Sequence, residues 1–176
     1  ETVQTMDGQG AARIVREPVG VVAAIVPWNA PYMIMLQKIA PALLAGCTVV
    51  MKPAPETPLE AYIIAEAAEA AGFPPGVVNI LPGYGPTAGA AIARHMDIDK
   101  IAFTGSTEVG RAIRKVTAGT GKKLTLELGG KSPFVVFADA DLDNAVDWSV
   151  QSIFRNAGQI FLAGSRVLVV RPVYDE

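Results

Sequence analysis

The 176 residues are 51% hydrophobic and 18% charged, with a formal net charge of -2, which fits a globular chain able to bury a substantial core. Its basic residues are scattered singly, as at Arg13, Arg16, Lys52, Arg94 and Lys100. They form no stripe that a phosphate backbone would select, so nucleic acid is excluded as an expected partner. Cys47 is the single thiol, which rules out an intrachain disulfide or a cysteine-built metal cage and suits a reducing compartment.

No apolar run approaches the roughly 18 residues of a membrane span. Glu1-Thr2-Val3-Gln4-Thr5 lack the basic and apolar regions of a signal peptide. The expectation is a soluble, cytoplasmic protein with no membrane partner. Glu1 in place of an initiator Met points to a chain cut from something longer.

In chain order, Arg13-Ile14-Val15-Arg16 alternates like an exposed strand with no obvious cover. Residues 21–26 form the first buried-strand candidate, and a helix is expected over 32–45, with Pro31 near its start, Gly46 past its end and a kink at Pro41. Strand 48–51, helix 58–71, strand 77–81, helix 87–94 and strand 100–103 follow. Then come helix 108–118, strands 124–128 and 134–137, helix 142–156 and strand 167–170. Val- and Ile-rich strands alternating with helices predict an α/β fold with a mostly parallel sheet flanked by helices.

Four segments sit where such a sheet presents its carboxyl edge, the side on which open α/β sheets bind ligands. Phe103-Thr104-Gly105-Ser106-Thr107-Glu108-Val109-Gly110 joins a strand to a helix, so its backbone N–H groups and positive helix end can face a pyrophosphate; it is not G-x-G-x-x-G, and a plain tight turn is the alternative. Asn29 in Pro27-Trp28-Asn29 can offer its amide to a developing oxyanion, or cap the helix beginning near Pro31. Lys52 in Val50-Met51-Lys52-Pro53 can reach a ribose or phosphate, or stand in solvent. Glu127, beside Gly129-Gly130, can act as a general base on water, or be an ordinary strand-end carboxylate. Gly83-Tyr84-Gly85-Pro86 reads only as a turn.

Three features carry no site. Asp139, Asp141 and Asp143 imitate a calcium loop, but Asn144 replaces its glycine and Val150 its closing glutamate, so capping of the next helix is expected. His95, the lone histidine, is placed on the surface, and Cys47 in a buried strand.

Leu126-Glu127-Leu128-Gly129-Gly130-Lys131-Ser132-Pro133, followed by Asn156-Ala157-Gly158-Gln159-Ile160-Phe161-Leu162-Ala163-Gly164-Ser165-Arg166, resembles the two catalytic signatures of the aldehyde dehydrogenase superfamily. From about residue 19 to 170, several further motifs occur in family order. The resemblance implies a Rossmann-like dinucleotide-binding domain over 19–129, preceded by the start of an oligomerisation arm over 1–18. The start of a second, catalytic α/β domain would occupy 130–176.

It also implies NAD or NADP as cofactor, an aldehyde oxidised to a carboxylic acid as substrate, and a homo-oligomer or association with the rest of the enzyme. Glu127 matches the base, Asn29 the oxyanion donor, and Phe161 stands where the family has its nucleophilic cysteine. Trp28, Lys52, Gly85, Gly105, Ser106, Thr107, Glu108, Val109, Gly110 and Gly129 match cofactor-binding positions. Pro55 replaces the glutamate often found three residues after the lysine, which leaves NAD against NADP open. Phenylalanine has no lone pair for attack, so this chain as written is expected to be inactive. The alternatives are a non-catalytic nucleotide-binding or structural subunit, or a phenylalanine introduced into an ordinary enzyme.

Overall fold

A computed structural model describes residues 2–6 and 10–175, with the side chains of residues 15–175. Strands β1 (Thr2–Met6) and β2 (Gly10–Ile14) pair antiparallel, Thr2 opposite Ile14 and Met6 opposite Gly10. The exposure expected at Arg13 and Ile14 falls outside the described side chains, whereas Val15 and Arg16 are exposed.

Five parallel strands then form the main sheet: β3 (Val21–Ile25), β4 (Thr48–Lys52), β5 (Val78–Ile80), β6 (Lys100–Gly105) and β7 (Lys123–Leu128), in the order β5-β4-β3-β6-β7. The chain winds outward from β3 to β5, returns to the other side of β3 as β6, and continues to β7. That reversal puts a topological switch point between β3 and β6, where their carboxyl ends diverge and leave a crevice.

Each strand's pleat decides what its neighbours cover. Ala24 and Val26, with Val49 and Met51, pack beneath α1 (Pro31–Leu44) and α2 (Glu60–Ala70) through Ile34, Met35, Ile39 and Ile64. Ala23 and Ile25, with Ile101 and Phe103, pack on the opposite face against α3 (Ala90–Arg94) and α4 (Thr107–Val116) through Ile92, Ala93 and Ile113. Central strands buried on both faces read as continuous apolar runs, which is why they were legible in the sequence.

Local chemistry sets the helix ends. Ser106 caps α4, its Oγ accepting from the Val109 N–H at 3.2 Å, and Glu108 in the first turn with Arg114 and Lys115 in the last complement the helix dipole. α1 starts with Pro31 and runs through Pro41 to Leu44. Its cap position is Ala30, without a side-chain hydrogen bond, so the capping alternative for Asn29 is not realised. Gly85–Gly89 form a π-helical turn leading into α3, so Gly85 and Pro86 begin a helical segment and not a plain turn; proline is tolerated there because the first turn needs no N–H donor.

Beyond the main sheet, β8 (Pro133–Val136) and β9 (Arg166–Val169) pair in parallel, with α5 (Leu142–Phe154) between them in sequence. Asp141 caps α5 by accepting from the Asn144 N–H at 3.1 Å. α5 buries none of its residues and leaves Val146, Trp148 and Phe154 at least 60% exposed. The helix expected to reach residue 156 ends at Phe154, since Asn156 and Ala157 adopt left-handed backbone at φ 53° and 55°.

Gly110 shows how closely α4 lies on the sheet: a β-carbon there would stand 2.5 Å from Leu128 Cδ2. Gly110→Val is expected to destabilise the fold by about 1–3 kcal/mol through overpacking, read as a lower urea midpoint.

Candidate functional site

The crevice at the switch point is walled by the segments that leave β3 and β6. Pro27, Trp28 and Asn29 face Gly105 and Ser106 across a cleft of about 650 Å³ that Gly129 and Phe161 also line. A second cleft, about 460 Å³, continues from Trp28, Gly105 and Ser106 towards Lys52, Gly85 and Val109. The two clefts share Trp28, Gly105 and Ser106, forming a path along the carboxyl edge of the sheet that an extended ligand can follow.

Glycine makes the narrow part possible. A β-carbon at Gly105 would stand 2.5 Å from the Phe103 ring, so the turn has no room for a side chain. The expected cofactor positions divide accordingly. Trp28, Lys52, Gly85, Gly105, Ser106, Val109 and Gly129 wall one or both clefts. Gly110 is buried against Leu128, and Thr107 and Glu108 line neither cleft.

Lys52 is not the solvated surface lysine that its residue type allows, being 4% exposed. Its ammonium donates to the carbonyl oxygens of Pro53 and Gly83, both at 2.8 Å. Burial lowers its pKa from the ordinary lysine value, with Glu56 opposing the shift.

Glu127 is aimed by the pleat of its strand. Leu124, Leu126 and Leu128 pack into the core beside α3 and α4, so Thr125 and Glu127 fall on the opposite face, in a groove with Lys38 of α1 and Thr104. Thr104 is also the direct β6 partner of Glu127. Burial lowers the Lys38 pKa, Glu127 pulls it back up, and Lys100 lowers it further. Glu127 itself is exposed.

Phe161 lines both the cleft of Asn29 and the groove of Glu127, and packs against the core cluster beneath α1. Its loop is tied to the segment between β3 and α1 by two amides: Asn29 Nδ2 donates to the Gln159 oxygen at 2.6 Å, and Asn156 Nδ2 donates to the Asn29 oxygen at 2.8 Å. Those bonds hold the left-handed stretch Asn156, Ala157 and Gly158 in place. Phe161 thus joins two clefts, one bordered by Asn29 and the other by Glu127, although the three residues come from separate segments.

Sequence reasoning passed over Lys38, Thr104 and Asn156. Lys38 carried no signal beyond a charged position in an apolar helix, whereas Asn156 stood inside a quoted motif and could have been singled out. Cys47 is buried and His95 exposed, as expected. Among the described residues, no group of three or more His, Cys, Asp or Glu side chains could hold a metal ion, and no helix is long and apolar enough to cross a membrane.

Two outcomes test this geometry. Asn156→Ala loses the bond to Asn29 and places alanine in the left-handed region, an expected cost of about 1–2 kcal/mol; Asn156→Gly should cost less in the same denaturation measurement, because glycine adopts that backbone freely. Lys38 is predicted to make stability rise with pH, because its folded pKa lies below the unfolded value of 10.5 and the unfolded chain binds the extra proton between them. Lys38→Met should flatten the slope of urea midpoint against pH in that window.

The geometry has counterparts in known proteins. The model of the aldehyde dehydrogenase family matches residues 1–176. Aldehyde dehydrogenase 1A1 of Oryctolagus cuniculus is 57% identical over 172 residues, 97% of this chain and 35% of that protein. The chain thus spans about a third of the length of such curated relatives. The NAD+ complex of an aldehyde dehydrogenase from Bacillus cereus superposes with TM-score 0.90 at 49% identity, covering 98% of this chain and 36% of that one. An NADP dependent enzyme of E. coli superposes with TM-score 0.86 at 48% identity, over 90% of this chain and 33% of that one. With a family match along its whole length and a switch-point crevice bordered by the glutamate and asparagine segments, the chain belongs to the aldehyde dehydrogenase family.

Proposed function

We propose that this chain is the cofactor-binding part of an NAD(P)-dependent aldehyde dehydrogenase, and that Phe161 leaves it unable to oxidise an aldehyde. The observation that carries the reading is the position of Phe161, which borders both the Asn29 cleft and the Glu127 groove. A nucleophile at that position would have an amide donor on one side and a carboxylate base on the other.

The clefts suit a dinucleotide. A buried lysine with one N–H beyond its two carbonyl contacts, glycine where the wall is narrow, and the N-terminus of α4 together match an anionic, extended ligand. Ser106, Gly105 and Val109 would hold its phosphates, Lys52 and Gly85 its adenosine end, Trp28 the junction of the two clefts, and Gly129 the wall of the larger one. Bound there, NAD or NADP would supply a hydride acceptor. Glu127 would take a proton from water, and Lys38 beside it would bias its charge state. Asn29 would donate to an oxyanion once its Nδ2 leaves the Gln159 oxygen.

The chain's own side chain at 161 limits this chemistry. A phenyl ring cannot attack a carbonyl carbon, and here it fills space and contacts the core. The same observation favours the second reading, a non-catalytic nucleotide-binding subunit.

Domain assignment follows the sheets. Residues 19–129 take in the five-stranded sheet as the dinucleotide-binding domain, and 130–176 take in β8, α5 and β9 as the opening of the catalytic domain. Residues 1–18, with β1 and β2 outside the main sheet, are assigned to an oligomerisation arm. The exposed apolar side chains of α5 suit association with further chain or with partner subunits. A cytoplasmic location agrees with a relative named "Aldehyde dehydrogenase, cytosolic 1" in Mus musculus.

The decisive experiment grafts this chain in place of the matching third of a full-length relative. The graft carrying Phe161 should bind NAD by calorimetry and make no NADH from an aldehyde, whereas Phe161→Cys should restore NADH production. A folded, NAD-binding graft that stays inactive with the cysteine would sink the reading, as would full activity with Phe161 in place.

A further inference from the structure

The bonds between Asn29 and the 156–159 stretch close into a ring. Asn156 Nδ2 donates to the Asn29 carbonyl oxygen at 2.8 Å, Asn29 Nδ2 donates to the Gln159 carbonyl oxygen at 2.6 Å, and the Gln159 N–H donates to the Asn156 carbonyl oxygen at 3.0 Å. The two long-range members of the ring do different things. The Asn156 bond holds the backbone of residue 29, whereas the Gln159 bond occupies its side-chain amide. That amide can rotate about its side-chain torsions to another acceptor while the backbone stays where it is.

The loop backbone is shaped around this contact. Asn156, Ala157 and Gly158 are left-handed in succession, at φ 53°, 55° and 75°. Residues other than glycine reach that region at a cost, which asparagine bears more easily than most, and such strain persists only where the surroundings impose it. Asn156 is exposed and Asn29 half-buried, so it is the bond to the Asn29 carbonyl, and no packing of its own, that places the Asn156 side chain. Beyond the ring, Asn29 and Phe161 wall the same cleft, and among the described residues the Phe161 N–H has no hydrogen-bond partner.

We propose that Asn156 is a positioning residue for the Asn29 amide: it keeps the backbone of residue 29 docked on the 156–161 loop while Asn29 Nδ2 moves from the Gln159 oxygen to an oxyanion. With that backbone held, the move is a rotation of one side chain. Without it, the segment between β3 and α1 can draw the amide away from position 161. The Gln159 oxygen serves as the resting acceptor, keeping the amide paired until a negatively charged oxygen, the stronger acceptor, replaces it. The device outlasts the loss of a nucleophile, because none of its three bonds involves the side chain of residue 161. The proposal rests on the reading of Asn29 as the oxyanion donor.

The graft into a full-length relative, carrying Phe161→Cys, tests it. Asn156→Asp keeps the size and the tolerance for left-handed backbone but, once ionised, has no N–H to donate, and Asn156→Gly removes the amide while relieving the backbone. Each should lower kcat for aldehyde oxidation about tenfold, the scale of one hydrogen bond, with the KM for aldehyde and the affinity for NAD within about twofold. In an Asn29→Ala background the same substitutions should cost nothing further. In this chain itself, proton–nitrogen correlation spectra should show the Asn29 side-chain amide moving towards the position of a solvated asparagine in Asn156→Asp. An unchanged kcat, losses that simply multiply with that of Asn29→Ala, or an unmoved amide signal would each overturn the proposal and leave the oxyanion reading standing. A folded cysteine graft that makes no NADH would sink that reading and the proposal with it.

Discussion

The pleat of β7 governs the site. Three half-buried leucines at alternate positions pack against the core cluster that α3 and α4 cover, and the two-residue period of a strand then puts Glu127 on the other face. One residue of slip in the pairing of β6 with β7 would turn the carboxylate into the core and the leucines into the groove. The burial of Leu124, Leu126 and Leu128 therefore does more than stabilise an edge strand; it sets the direction of a functional group. Gly110 belongs to the same constraint, because α4 can lie against Leu128 only where it lacks a β-carbon.

Sheet order supplies the second constraint. Had the chain wound steadily in one direction, the turns after β3 and β6 would not have faced each other. The return past β3 brings Pro27-Trp28-Asn29 beside Gly105-Ser106 and opens the crevice between them. The later loop is drawn over that crevice by reciprocal amide bonds between Asn29 and the 156–159 stretch. Those bonds offset the cost of left-handed alanine at position 157, a local strain of the kind that gathers at functional loops.

Lys52 and Lys38 show how position changes the chemistry of one residue type. Both ammonium groups are held below the ordinary lysine pKa by burial, yet Lys52 is fixed by carbonyl oxygens, whereas Lys38 sits between the opposing charges of Glu127 and Lys100. Burial dominates in both, while a carboxylate opposes it in each, Glu56 for Lys52 and Glu127 for Lys38.

By itself the sequence determined the alternation of strands and helices, since apolar runs and glycine or proline punctuation are local signals, and it determined the motif residues that border the clefts. It also placed Phe161, because residue identity needs no structure. Local patterns could not decide that Lys52 is buried, that Asn29 bonds to Gln159 and caps no helix, or that Lys38 and Thr104 meet Glu127. Each of those depends on partners distant in the chain: Asn29 and Gln159 are 130 residues apart, and Lys52 and Gly83 are 31 apart. Only the winding of the sheet, which buries both of its faces at once, brings such partners within hydrogen-bonding reach.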